Sequence, residues 1–388
     1  MRNFKCADAC EYGDKLWTIE SSGWYIYAMN TLSWTIELIS LVNSHFPIYY
    51  RKILTRENSL FFVRNTGIGI YKYNIESGHE NIYDMDLLDE IIVMNAFFYE
   101  DEIIIVPLYI YDCLYSFDIK TYKFQKIHCP LNIKNRTEDK FIPSAHLINN
   151  KIWFITNSGS ELQSYDLKQK TVDTYSLPEG INVGSFCEYN DNLLLASKFG
   201  YQVYTWTREE GITDKFIYEG EFEKSDIYPQ IVTCGEKIYL LSVMSNGIYK
   251  IDEKDSKVKQ IHIVNSDKNV EGKALFIECV KTKNRIVILP WRANELIVIN
   301  SETDGVEEYE ISIDEFALKF GLSQEKRHVI YESHKTEKKS LMKEICKEID
   351  LNKKMLSSEV GEEIFCLIKS ICDRENKNEK EDNRRSFK

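Results

Sequence analysis

The stretch LYSFDIKTYKF, running from Leu114 to Phe124, has the composition of two short strands joined by a polar turn. Six other segments share its opening pattern: IYAMNT from Ile26, IYKYNI from Ile70, LQSYDL from Leu162, VYTWTR from Val203, IYKIDE from Ile248 and LIVINS from Leu296. Their fifth residues are Asn30, Asn74, Asp118, Asp166, Thr207, Asp252 and Asn300, spaced by 44, 44, 48, 41, 45 and 48 residues. A second landmark, a polar turn followed by an apolar run, begins its run at Leu16, Leu60, Ile103, Ile152, Leu193, Ile238 and Ile286, with spacings of 44, 43, 49, 41, 45 and 48. Two landmarks that drift together mark one repeated supersecondary unit rather than an isolated hairpin.

Each unit reads as four strands. Strand A precedes the Asn, Asp or Gly turn, strand B follows it, strand C is the LYSFD segment, and strand D follows a second polar turn. Alternation along strand C puts Tyr115 and Phe117 on one face, expected to pack between units, and leaves Asp118 to initiate the turn to strand D. A repeat of about 45 residues and four strands is the size of a propeller blade. On these segments the chain resembles kelch-like and WD-repeat-like propellers. The resemblance implies an all-β fold, a seven-bladed β-propeller of four-stranded antiparallel blades over residues 4–312. The chain has neither the Gly-Gly doublet of kelch repeats nor a Trp-Asp dipeptide, so the resemblance carries over no site residue. The first and last units each look complete, which leaves no strand shared between the ends of the ring.

From residue 313 the period changes from two to that of a helix. Leu341, Met342, Ile345, Cys346 and Ile349 form one apolar stripe, and Val360, Ile364, Leu367, Ile368 and Ile371 form another. A helical extension is expected over 313–372 and a disordered charged tail over 373–388. The net charge of -12 works against nucleic-acid and anionic-membrane partners. The longest apolar stretch is cut by Glu100, Asp101 and Glu102, and the N-terminal residues lack the apolar core of a secretory signal. These features point to a cytoplasmic protein whose ten cysteines act as reduced, buried thiols.

No phosphate loop, paired-histidine metal motif or nucleophile elbow occurs, so neither cofactor nor metal is expected. Cys6 and Cys10, four apart in one strand, should share a face as buried thiols. Two sets of equivalent positions remain. Eight residues before the strand B landmark stand Asp8, Lys52, Asn95, Ser144, Ser185, Gln230 and Glu278, a polar ring at the channel mouth. Two residues further on stand Cys10, Leu54, Phe97, His146, Cys187, Val232 and Val280. The plain reading of the ring is a hydrated channel. The sharper one is a pocket with Asp8, Lys52 and Glu278 as acid and base, and Asn95 and Gln230 as binding groups. The second set is the B-to-C loop face, which carries Trp24, Arg64, Tyr109, Lys198, Trp291 and Arg292, residue types that interface centres favour. The expected function is a non-catalytic scaffold that binds a protein or peptide through this loop face. The alternative is a propeller lyase or hydrolase of a small or glycan substrate.

Overall fold

A computed structural model describes residues 6–20, 25–41, 49–85, 91–109, 113–130, 144–156, 159–198, 202–218, 230–241, 247–263, 276–290 and 295–311. All lie within one compact unit, Met1–Leu318. The segments expected as helices over 313–372 and as a polar tail over 373–388 lie outside the described residues.

The described strands run in chain order as seven up-and-down antiparallel meanders of four strands each. In the third meander, Val93–Tyr99 is strand A, Glu102–Pro107 strand B, Cys113–Asp118 strand C and Lys123–His128 strand D. Strands B and C are buried on both faces, whereas strand D alternates with solvent, as expected for the outer edge of a sheet. The fifth-position residue of strand C does the same work in every meander. Asp118 Oδ1 accepts from the Lys120 and Thr121 amides at 2.8 and 2.9 Å, and Asn30, Asn74, Asp166, Thr207, Asp252 and Asn300 accept from the amides two or three residues on. Such side-chain-to-backbone bonds offer the chain a turn in place of a continued strand.

The residue four positions after each of these caps has a left-handed backbone: Trp34, Gly78, Tyr122, Lys170, Gly211, Ser256 and Asp304. Only two of the seven are glycine, so the other five hold a strained φ. Four of those five show a contact with the preceding meander around the ring, the Ser256 carbonyl accepting from the Ile217 amide at 3.1 Å. Tyr122 stacks on Tyr83 at 4.9 Å, Trp34 packs on Tyr309 at 5.6 Å, and Asp304 binds Lys237 and Lys250 at 3.0 and 2.8 Å.

The meanders form a ring. Each strand A touches the next from the first meander to the sixth, and strand A of the seventh, Phe276–Lys281, touches that of the first, Cys6–Tyr12. The core lies in the seams: among the described residues, six apolar clusters are each drawn from two successive meanders. Tyr115 and Phe117, both in the seam between the second and third, are 5% and 0% exposed, as the alternation of strand C requires. Burying one such side chain stabilises by roughly 1.5–3 kcal/mol, more than a typical surface ion pair at about 0–1 kcal/mol. The seams therefore hold the ring chiefly through apolar contact. Between the seventh and first meanders Arg285 donates to the Thr31 carbonyl at 2.7 Å and lies over the Trp34 ring, so among the described residues the two are joined through side chains.

Two expectations need correction. Hydrogen bonding does not yield seven separate blades. It groups the meanders into six sheets, five of four strands and one of eight. In the large sheet the outer strands Gly211–Tyr218 and Lys257–Ile263 pair in parallel through Ile217 with Lys257 and Tyr218 with Val258. Cys6 and Cys10 also fail to share a face. Between Cys6 and Ala9 the pairing with strand B slips, so Ala7 and Asp8 together oppose Ile19. One extra residue reverses the alternation: Cys6 Sγ meets Thr18 Oγ1 at 2.6 Å, while Cys10 pairs with Trp17 on the other face.

Candidate functional site: the channel ring and the loop face

The same slip recurs at the inner edge of the ring. Strand A carries a bulge at Arg51 in the second meander, Met94 in the third, Gly184 in the fifth and Ile277 in the seventh. Each sits just before a residue of the polar ring: Lys52, Asn95, Ser185 and Glu278 respectively. Bulges bend a strand and re-aim its side chains. Here several ring residues meet the neighbouring strand A. Asp8 Oδ2 accepts from the Ile53 amide at 2.7 Å, Asn95 Nδ2 donates to the Ala145 carbonyl at 3.0 Å, and Gln230 Nε2 donates to Glu278 Oε1 at 2.5 Å.

Ions complete the ring. Lys52 Nζ lies 3.1 Å from Asp8 Oδ1, and Asp8 is only 2% exposed. Burial pushes the Asp8 carboxyl above its ordinary value, opposed by Lys52 and the Ile53 amide. Burial works to lower the Lys52 ammonium, but the carboxylates of Asp8 and Glu278 outweigh it and hold it above its ordinary value. The sequence gives no hint of Arg51, whose parity assigns it to the other face. As the bulge residue it reaches Glu278 Oε2 at 3.8 Å and donates from Nε to the Met94 carbonyl at 3.1 Å.

His146, on strand A of the fourth meander (Ser144–Ile148), lies in the field of Lys52 from the second and Glu278 from the seventh. Burial first, and then Lys52, push its imidazole down to about 4, so it is neutral at pH 7. The ring contact of His146 with Phe186 is edge-on at 4.7 Å. Thiols complete this interior: burial pushes Cys6 and Cys187 up to about 12, and Cys279 is raised as well. Thiols so far from ionising are poor nucleophiles. Among the described residues no cluster of His, Cys, Asp and Glu has the arrangement of a metal site.

On the loop face, Arg64, Tyr109 and Lys198 are described, whereas Trp24, Trp291 and Arg292 lie outside the described residues. Arg64 ends strand B of the second meander, Ser59–Arg64, and grips Asp84 with two parallel contacts of 3.1 Å. Gly69 makes room for that pair, since a Cβ there would stand 2.4 Å from Asp84 Oδ1 and 2.8 Å from Arg64 Cδ. Tyr109 is 40% exposed. Two of the described loops are pinned by backbone bonds to the next meander. Gly67 donates to the Ile91 carbonyl at 2.7 Å, and Val183 donates to the Gly159 carbonyl at 2.8 Å. Both glycines have positive φ, and a Cβ on Gly159 would meet the Val183 backbone at 2.5 Å. Among the described residues no helix is long and apolar enough to cross a membrane.

No protein-family model matches the sequence, and no curated protein matches it. Solved structures do resemble the fold. YCF48 bound to a D1 peptide superposes with a TM-score of 0.59 at 9% identity, over 80% of this chain and 93% of that one. A streptogramin B lyase gives 0.58 at 14% identity, over 75% of this chain and 92% of its own. A catalytically inactive virginiamycin B lyase from Staphylococcus aureus, solved with quinupristin, gives 0.57 at 13% identity, over 80% and 96%. At such identities the likeness is one of fold, and the fold is a β-propeller.

Proposed function

We propose that this chain is a non-catalytic propeller that binds a protein or peptide partner on its B-to-C loop face. The observation that carries the reading is the construction of that face. Loops containing Gly67 and Gly159 are tied to neighbouring meanders by backbone bonds, and they stand beside Arg64, exposed Tyr109 and Lys198. Aromatic and cationic groups on loops fixed in advance lose little entropy on binding. Trp24, Trp291 and Arg292 belong to the same proposed surface. The channel ring supports the reading from the other side, because Asp8, Lys52, Gln230 and Glu278 are engaged with one another or with backbone across the seams. Among structures of the same fold, YCF48 was solved with a peptide, which adds modest support.

The enzyme alternative seeks its acid and base among Asp8, Lys52 and Glu278, but Asp8 and Lys52 are paired at 3.1 Å and Glu278 accepts from Gln230 and lies 3.8 Å from Arg51, with His146 in the field of Lys52 and Glu278. A general acid or base needs a group able to change protonation near the working pH, and His146, pushed down to about 4, stays neutral through pH 7.

Selection of displayed peptides on the immobilised full chain tests the proposal. Selected peptides should lose at least about tenfold in affinity, roughly 1.4 kcal/mol, on the variants Arg64→Ala, Tyr109→Ala or Trp291→Ala. Affinities within twofold of the parent on all three variants reject the loop face.

A further inference from the structure

The face opposite the B-to-C loops is built from the A-to-B and C-to-D turns, and its seams are bridged by two recurring positions. The first is the residue four before the strand B landmark: Tyr12, Arg56, Tyr99, Ile148, Tyr189, Cys234 and Thr282. Tyr12 donates to Asn58 Oδ1 at 2.6 Å, Arg56 binds Asp101 at 3.0 Å, and Tyr189 donates to the Glu236 carbonyl at 3.1 Å, each in the following meander. Tyr99 packs in the seam between the third and fourth. The second position is the left-handed residue of the C-to-D turn, which reaches back to the preceding meander as Tyr122, Asp304 or Trp34.

The seam between the fourth and fifth meanders has neither bridge. Its first position is Ile148, an aliphatic side chain, and its second is Gly211, which has none. A cleft of about 260 Å³ opens there, lined by Ile148, Trp153, Asp191, Trp206, Arg208 and Glu209, among others. Trp153 and Trp206 meet edge to face at 5.7 Å, with Tyr175 stacked on Trp153 at 5.6 Å. The volume suits one side chain better than a drug-sized ligand, for which pockets run to about 300–1,000 Å³.

Charge selects the occupant. The two cations at the cleft are already engaged: Lys151 lies 3.0 Å from Asp173 and 3.7 Å from Asp166, and Arg208 is 3.5 Å from Asp173 and over the Tyr175 ring. The carboxylates of Asp191 and Glu209, on the two turns that border the cleft, make no ion pair among the described residues. With Lys151 and Arg208 taken up by Asp166 and Asp173, the Asp191 and Glu209 carboxylates are the lining charges left to meet an occupant. Indole walls below a negative rim favour a cation.

We propose that this cleft is a docking site for a lysine or arginine side chain of a polypeptide partner, distinct from the loop face. Asn149 and Asn192 flank the opening and can bond the partner's extended backbone.

The test uses displayed heptapeptides selected on the full chain and counter-selected on the full-length Ile148→Tyr variant. That variant installs the side chain that bridges the first and fifth seams and so fills the cleft. Enriched peptides should share a Lys or Arg, lose at least tenfold in affinity on Ile148→Tyr and on the double variant Asp191→Asn/Glu209→Gln, and keep their affinity on Arg64→Ala and Tyr109→Ala. Arginine amide alone should compete only weakly. Enrichment of neutral or acidic peptides, equal binding to Ile148→Tyr, or failure to recover any peptide that discriminates the two chains overturns the proposal. Loss on Arg64→Ala or Tyr109→Ala instead assigns the peptide to the loop face. Thermal unfolding of Ile148→Tyr near the parent midpoint shows that the seam itself is intact.

Discussion

The seam between the sixth and seventh meanders and the seam between the fourth and fifth are closed by different chemistry. In the first, Asp304 gathers Lys237, Lys250 and the Tyr239 hydroxyl at 3.0, 2.8 and 2.7 Å above a cluster of isoleucines. In the second, Trp153, Tyr175 and Trp206 pack together and a cleft remains at the turn side. One repeat thus supplies a common strand framework, while two variable positions decide whether a seam is filled. The difference shows why equivalent positions in a repeat are worth reading for their exceptions.

Perturbing each seam should separate the two kinds of closure. The largest effect is expected for Trp206→Ala, which removes a side chain only 5% exposed from the aromatic seam and should cost about 3–5 kcal/mol in denaturant unfolding. A loss below 1 kcal/mol would mean that the aromatic trio contributes little. Next comes Asp304→Ala, expected to cost about 2 kcal/mol because three bonds to a partly exposed carboxylate are lost and two lysines are left without it.

That ionic seam should also respond to acid. Burial alone would raise the Asp304 carboxyl, but bonds from Lys250, Tyr239 and Lys237 prevail and hold it at about 2. A carboxyl held below its unfolded value of about 3.9 contributes stability at higher pH, and that contribution is lost as pH falls from about 4 towards 2. The slope of stability against pH in that window should flatten in Asp304→Asn, and an unchanged slope would remove Asp304 as its cause. The smallest effect is expected for Ile148→Tyr, within about 1 kcal/mol of the parent in unfolding, since the added ring enters existing space. A cost of 3 kcal/mol would show that the cleft cannot take it.

Much of the fold was legible in two landmarks. Apolar runs at Leu16 and its six counterparts mark strand B, and caps such as Asp118 mark the strand C to D turn, because burial and turn chemistry both leave residue-type signatures. The bulges left none. Arg51, Met94, Gly184 and Ile277 share no side-chain type, and a bulge depends on how two strands pair rather than on one residue. Alternation therefore put Cys6 and Cys10 on one face and missed Arg51, the side chain that joins three meanders at the axis. Merging of the fifth and sixth meanders into one sheet was hidden for a similar reason, since it arises from a two-residue parallel contact. Equivalent spacing in the sequence singles out Asp8 and Asn95, but their partners across the seams, the Ile53 amide and the Ala145 carbonyl, follow from how neighbouring strands pack and leave no mark in the local sequence.

The central claim is that the axis is structural and that recognition belongs to the faces. Its most direct measurement is the affinity of a loop-face peptide for the parent chain and for the double variant Asp8→Asn/Lys52→Met, which removes both charges of the buried pair together. Removing both spares the protein the cost of an isolated buried charge, which single removal would impose at about 3–5 kcal/mol. The account predicts a folded variant whose affinity for that peptide stays within twofold of the parent. A folded variant that loses tenfold or more, while Arg64→Ala and Tyr109→Ala bind as the parent does, would contradict it and return the site to the axis.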